Sequence, residues 1–401
     1  MARRRGIIAG FLTVPSPISV KTPRLRRLLS IAFLLLLIAA LALALPKLKR
    51  RFYTHGLSVV TVAAGLDSPW AMAFLPDGRM LVTERPGRLR IVEPDGRVGA
   101  PLAGLPPVWT KIEGGLMDVA LHPRYAQNHL VYWSYSEPDP AGGAGAGTAV
   151  ARGWLEGDRL SEVRVIYRQP LKTTDGRHFG SRLLFAPDGH LFVGLGDRMQ
   201  RADAQQLDSA HGKIVRLNDD GSVPSDNPFA QTPGARTELW SYGHRNVQGL
   251  ALRPGNGELW ATEHGPSGGD ELNLIQRGHN YGWPVVSNGC EYSTCATIGE
   301  GTAKAGMDAP VLWRERQHSV PPSALLFVTS PRFADWQGQL LMATFREGGF
   351  TRIRLDGDRL AETEAVYLAG NERVRDLKQG PDGWIYAVVN VPEGRIVRLQ
   401  R

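Results

Sequence analysis

"FAPDGHLFVGLGDR", residues 185–198, decides the fold. Pro187 fixes φ, the Asp188 side chain bonds its own backbone and Gly189 tolerates positive φ, so the centre reads as a tight turn between antiparallel strands. The "LFVGL" that follows is a short apolar run, the pattern of a strand buried on both faces. The same phrase returns as "FLPDGRMLVTER" at Phe74, "LHPRYAQNHLVYWSYS" at Leu121 and "LRPGNGELWATEHG" at Leu252. It returns again as "TSPRFADWQGQLLMATF" at Thr329 and "GPDGWIYAVVN" at Gly380. The turn prolines Pro76, Pro123, Pro187, Pro254, Pro331 and Pro381 are spaced 47, 64, 67, 77 and 50 apart. Six copies predict an all-β chain folded as a six-bladed β-propeller.

Composition agrees. The 46 Gly and 28 Pro among 401 residues exceed the usual shares of about 7% and about 5%, as turn-rich β structure requires. "LSVVTV" at Leu57 and "RIVRLQ" at Arg395 are expected to pair within one blade and leave no strand edge exposed. "AGGAGAG" at Ala141 lacks both the G-x-G-x-x-G register and a following Lys-Ser, so it reads as a flexible hairpin loop, not a phosphate cradle.

The formal charge of +8 belongs to one end. Residues 1–53 hold 11 of the 47 Lys and Arg and no Asp or Glu, leaving 36 basic against 39 acidic residues in the body. A slightly acidic body removes the electrostatic case for nucleic-acid binding. The leader carries an apolar run from Leu28 to Leu45, with Arg24, Arg26 and Arg27 before it and Lys47, Lys49, Arg50 and Arg51 after it. Residues 1–53 are thus expected to be a signal peptide or a membrane anchor, a hydrophobic helix tethering through 28–45 if it is not cleaved. Arg26-Arg27 hints at twin-arginine export. Either route places a domain over 54–401 outside the cytoplasm. There Cys290 and Cys295, five positions apart, are expected as a short-loop disulfide, with free thiols as the alternative.

"GPSGGDELNLIQRGHNYGWP", residues 265–284, follows the strand "ELWATE" and packs carboxylates between glycines. Asp270 and Glu271 are hard oxygen ligands, the glycines let carbonyls turn inward and Tyr281 can add a backbone oxygen, a combination that suits calcium. A solvated acidic turn fits the same residues. "DGRHFGSRLLF" puts His178 at an exposed rim, suited to a general base or to a structural role. "YGHRNVQG" joins Arg245 and Asn246. "ERVRD" sets Arg373 and Arg375 on one face of an extended strand, either a carboxylate clamp or a solvated face.

These stretches, with "GGLMDVALHP" at Gly114, "RHFGSRL" at Arg177, "YGHRNVQGL" at Tyr242 and "RVRDLKQGPDG" at Arg373, resemble the glucose/sorbosone dehydrogenase family over about residues 57–401. Within it the chain is most similar to the periplasmic aldose sugar dehydrogenases that use pyrroloquinoline quinone (PQQ). The resemblance implies a periplasmic enzyme that oxidises the C1 hydroxyl of an aldose to a lactone and passes electrons to an external acceptor. It implies His178 as general base and Arg245 and Asn246 beside the quinone oxygens. Gly265 and Pro266 would offer carbonyls to a calcium that PQQ also ligates, with Glu271 and the Tyr281 carbonyl at a second calcium site. Tyr292, the strip Thr344, Phe345 and Arg346, and the clamp Arg373, Val374 and Arg375 would contact PQQ. Two positions depart from the pattern: Arg346 stands where many relatives have Lys, and Glu113, a further cofactor contact, stands where some have Gln.

Two other readings use the same fold. A calcium-dependent lactonase or esterase would activate water at the metal and need neither Arg373 nor Arg375. A non-catalytic propeller would bind without turnover.

Overall fold

The turn at the centre of the opening stretch closes as its residues dictate. In the computed structural model, Ala186 N–H donates to His190 O at 2.9 Å and Gly189 N–H to Ala186 O at 3.0 Å. Asp188 Oδ1 accepts from His190 N–H at 3.0 Å, and Gly189 takes φ of +93°. The same pattern of bonds recurs at Leu75–Arg79 and at Gly380–Trp384.

The structure describes residues 56–346, 348–368 and 372–401, together with Phe33. The signal or anchor expected over 1–53 therefore lies outside the described residues, Phe33 apart. Six four-stranded antiparallel sheets form the described body. Their first strands are Pro69–Phe74, Leu116–Leu121, Gly180–Phe185, Val247–Leu252, Pro322–Phe327 and Val374–Gln379, which define blades 1 to 6. These inner strands pack neighbour against neighbour around the ring. Each turn proline falls between the first and second strand of its blade. The second strands, such as Met80–Glu84, Leu191–Leu195 and Ile385–Val389, are buried at every position because each is covered on both faces. Apolar clusters between neighbouring blades, not one central core, hold the ring.

Closure follows expectation. Ser58–Leu66 pairs with Gly394–Gln400 in blade 6, with Ser58 opposite Gln400 and Val60 opposite Arg398. The Gly-Ala tract joins strands Leu130–Pro138 and Ala146–Glu156 as a hairpin loop.

One feature shapes the site. In all six blades the pairing of first and second strands slips near the start of the inner strand. The residues in these bulges are Trp70, Met117 with Asp118, Ser181 with Arg182, Gln248, Ser323 and Arg375. A bulge re-aims side chains that a regular strand would point into the sheet.

Candidate active site

The inner-strand starts and the loops above them enclose a cavity of about 540 Å³, within the usual range for a small-molecule site. Its walls include Trp70, Glu113, Asn246, Gln248, His264, Phe345, Arg373 and Arg375. The two arginines converge on it, Arg373 just before the strand Val374–Gln379 and Arg375 from the bulge within that strand. Arg373 and Arg375 lie 4.4 and 4.9 Å from the Phe345 ring centre, and Arg375 lies 4.0 Å from that of Trp70. Among the described residues neither pairs with a carboxylate, and Arg375 Nε is buried without a hydrogen-bond partner. Burial, reinforced by the Arg182 charge, drives the Arg375 pKa well down. A buried cation without a counter-ion is costly, and an anionic ligand would remove that cost.

His178 is buried rather than exposed at the rim, because three groups draw it inward. Its Nδ1 lies 2.7 Å from Asp197 Oδ1, its backbone N–H donates to Glu113 Oε2 at 2.7 Å, and the adjoining Gly180 N–H donates to Asn246 Oδ1 at 3.0 Å. Glu113 thus has a partner of its own. Asp197 also accepts the Trp283 indole N–H on Oδ2 at 2.8 Å. Burial works to raise the Asp197 pKa, but the hydrogen bond and charge of His178 leave it below the ordinary carboxylate value. His178, Ser181, Arg198 and Met199 all take positive φ, strain that proteins keep where function needs it.

Arg245 is held by its neighbours. Its N–H donates to Glu263 Oε2 at 2.6 Å, and its guanidinium donates to Gly265 O at 2.6 Å, His264 O at 2.9 Å and the Tyr292 hydroxyl at 3.2 Å. Tyr292 is an exposed side chain inside the Cys290–Cys295 disulfide loop, which bonds Ser267 through paired backbone contacts of 3.1 and 3.2 Å. Burial drives the pKa of His264 down to about 3, so it is neutral, and its Nε2 donates to Pro322 O at 2.7 Å.

The glycine loop folds back on itself. A Cβ on Gly265, Gly268 or Gly269 would fall 2.2, 2.0 or 2.4 Å from other backbone atoms, which explains the residue type. Asp270 braces this loop, accepting from Gly265 N–H at 3.0 Å and Val320 N–H at 2.8 Å. Beside it lies a void of about 10 Å³ bordered by Glu263, Gly265, Pro266, Glu271 and Tyr281. It is of single-ion size. Burial and the neighbouring Glu263 raise the Glu271 pKa to about 8. Among the described residues no three His, Cys, Asp or Glu converge on one point, so a cation here would rely on carbonyls as well as carboxylates.

Other expected contacts fall outside the cavity wall. Val374 is buried in the core of blade 6, its carbonyl accepting from Ser323 Oγ at 2.6 Å. Thr344 Oγ1 donates to the Arg346 carbonyl, and Arg346 reaches Ser319 O at 3.4 Å. Sequence reasoning missed Asp197, Trp283, Trp70 and His264. Only Asp197 carried a signal, as a lone acid ending the apolar run "LFVGLG".

A sequence profile described as Glucose / Sorbosone dehydrogenase matches residues 66–398. The chain belongs to the glucose/sorbosone dehydrogenase family. Membership makes it an oxidoreductase acting on sugar donors. Within this family it is 41% identical over 338 residues to the aldose sugar dehydrogenase YliI of Escherichia coli K12, covering 83% of this chain and 90% of the relative. The solved apo-form of the soluble aldose sugar dehydrogenase from Escherichia coli is similar at a TM-score of 0.82 and 40% identity, covering 86% and 99% of the two chains. The PQQ-bound form of an aldose sugar dehydrogenase from Streptomyces coelicolor is similar at a TM-score of 0.69 and 30% identity, covering 86% and 98%.

Proposed function

We propose that this family member is a periplasmic, PQQ- and calcium-dependent aldose sugar dehydrogenase that oxidises the C1 hydroxyl to a lactone and hands electrons to an external acceptor. The observation that carries the reading is the pair Arg373 and Arg375, which among the described residues have no carboxylate partner, on the wall of one cavity. Their charge and planar shape fit the carboxylates of a tricarboxylate quinone. A PQQ-bound relative of the same fold supports the choice. A calcium-dependent lactonase would leave both arginines without a role.

Arg373 and Arg375 would hold PQQ, with Trp70 and Phe345 as apolar surfaces. The Gly265 and Pro266 carbonyls would hold one calcium, and Glu271 with the Tyr281 carbonyl a second. When bound, PQQ supplies a two-electron acceptor for the C1 hydride, and calcium supplies charge that favours the reduced form.

The chain's own groups do the rest. Asp197 engages His178 Nδ1 at 2.7 Å, which places the proton there and leaves Nε2 as the acceptor nitrogen, on a residue followed by the cavity-wall residues Phe179 and Gly180. Nε2 takes the C1 hydroxyl proton, a contribution of about 10²- to 10⁴-fold. Arg245 stabilises negative charge developing on the substrate oxygen. Neutral His264 adds no charge that would compete with it.

Apoprotein reconstituted with PQQ and calcium, given glucose and a dye acceptor, tests the reading. Dye reduction that disappears in His178→Gln is expected. Lactone hydrolysis without PQQ would overturn it in favour of the lactonase.

A further inference from the structure

The six bulges meet at one side chain. Arg182, two residues beyond the cavity-wall residue Gly180, is 2% exposed and reaches the inner strand of every other blade. Its Nε donates to Gln248 O in blade 4 at 2.9 Å and an NH2 proton goes to Ser323 O in blade 5 at 2.7 Å. In blade 6, NH1 meets Asp376 Oδ1 at 2.9 Å and NH2 meets Arg375 O at 3.5 Å. NH1 also meets Asp118 Oδ1 in blade 2 at 3.3 Å, and the guanidinium lies 4.5 Å from the Trp70 ring centre in blade 1.

Charge is balanced around it. Asp376 has Lys378 at 3.6 Å and accepts from Met72 N–H at 3.1 Å, while Asp118 accepts from Leu183 N–H at 2.7 Å. Asp118 and Asp376 thus answer the charges of Arg182 and Lys378, while Arg375 shares the Trp70 ring with Arg182 and pairs with neither carboxylate.

Three of the groups that Arg182 touches, Trp70, Gln248 and Arg375, also line the cavity. We propose that Arg182 is a positioning residue for cofactor binding: it fixes the Arg375 backbone and the Trp70 ring on which the Arg375 guanidinium lies. The inference rests on the reading of the cavity as an anionic-quinone site. What matters is span, because five other strands are tied through one planar group. Lysine keeps the charge but offers a single nitrogen that cannot reach them together.

Two variants test it. Arg182→Lys keeps charge and loses span. Arg182→Met with Asp118→Asn removes one charge of each sign and leaves Asp376 with Lys378. Apoproteins are checked for fold by circular dichroism and melting temperature, and PQQ affinity is measured by titration with calcium present. Both folded variants are expected to bind PQQ at least tenfold more weakly than the unaltered protein, with kcat at saturating PQQ reduced much less. A folded variant of either kind binding within twofold of the unaltered protein would overturn the proposal. Failure of both variants to fold would also overturn it, since Arg182 would then serve folding alone. Unaltered apoprotein that takes up no PQQ would instead remove the cavity reading on which the inference rests, a result distinguishable because it appears before any variant is made.

Discussion

Asp197 holds His178 Nδ1 at 2.7 Å with one carboxylate oxygen and the Trp283 indole N–H at 2.8 Å with the other, tying three chain segments into one line. The carboxylate fixes which imidazole nitrogen carries the proton. Asp197→Asn can present its amide N–H to Nδ1 and stabilise the wrong tautomer, so kcat is expected to fall about 10²- to 10⁴-fold with little change in PQQ affinity. Steady-state kinetics of the reconstituted enzyme beside a PQQ titration check both parts.

The same residue sets an acid limit. Its folded pKa is lowered from 3.8, so the stability it contributes is present above 3.8 and is lost as pH falls through the lower folded value. The unaltered protein should therefore melt above Asp197→Asn at neutral pH. The gap should narrow only below about pH 4, as melting curves taken across pH would show.

Arg375 trades stability for binding. It is buried without a carboxylate partner among the described residues, so Arg375→Met should leave the apoprotein as stable or more stable. PQQ affinity should nevertheless fall about tenfold to a hundredfold, the worth of a hydrogen bond to a charged group at about 1.5–3 kcal/mol. Melting of the apoprotein and titration with PQQ read the two effects separately.

Calcium should act through Glu271. Millimolar calcium is expected to raise the melting temperature of the unaltered apoprotein, and a chelator to reverse it, by mass action on the folded state. Glu271→Gln should blunt the response while preserving the fold. An equal calcium shift in both proteins would count against Glu271 as a ligand.

The Pro-Asp-Gly turns offer a control far from the chemistry. Gly189 sits at φ of +93° with open space where a Cβ would go, so Gly189→Ala meets backbone strain and no clash. A loss of about 1–2 kcal/mol, or about 1–3 °C in Tm, is expected. The turn lies at the opposite end of the inner strand Gly180–Phe185 from the cavity, so kcat should be unchanged.

Much of the architecture could be read from local chemistry. Pro187, Asp188 and Gly189 specify their turn wherever they occur; three such turns, with three further turns that share only the proline, announced six blades. Arg373 and Arg375 were legible as a pair from their spacing, although Arg373 precedes the strand and a bulge, not regular alternation, aims Arg375. The link from His178 to Asp197 and on to Trp283 was not, since the segments are 19 and 86 positions apart and no periodicity encodes their meeting. The six bulges were hidden for a related reason: each is a slip between two strands, invisible in either strand alone. His178 read as exposed because a polar residue beside Gly suggests a rim, whereas its burial comes from Glu113 and Asp197.

Because Ser58 lies opposite Gln400 in the closing blade, the first and last strands of the ring are neighbours. A short linker between them would allow new termini to be opened in an exposed hairpin loop, such as the Gly-Ala loop at 141–145 between the second and third strands of blade 2. The resulting circular permutant would keep every inner strand and both arginines of the cavity in place, with the seam moved to a different blade.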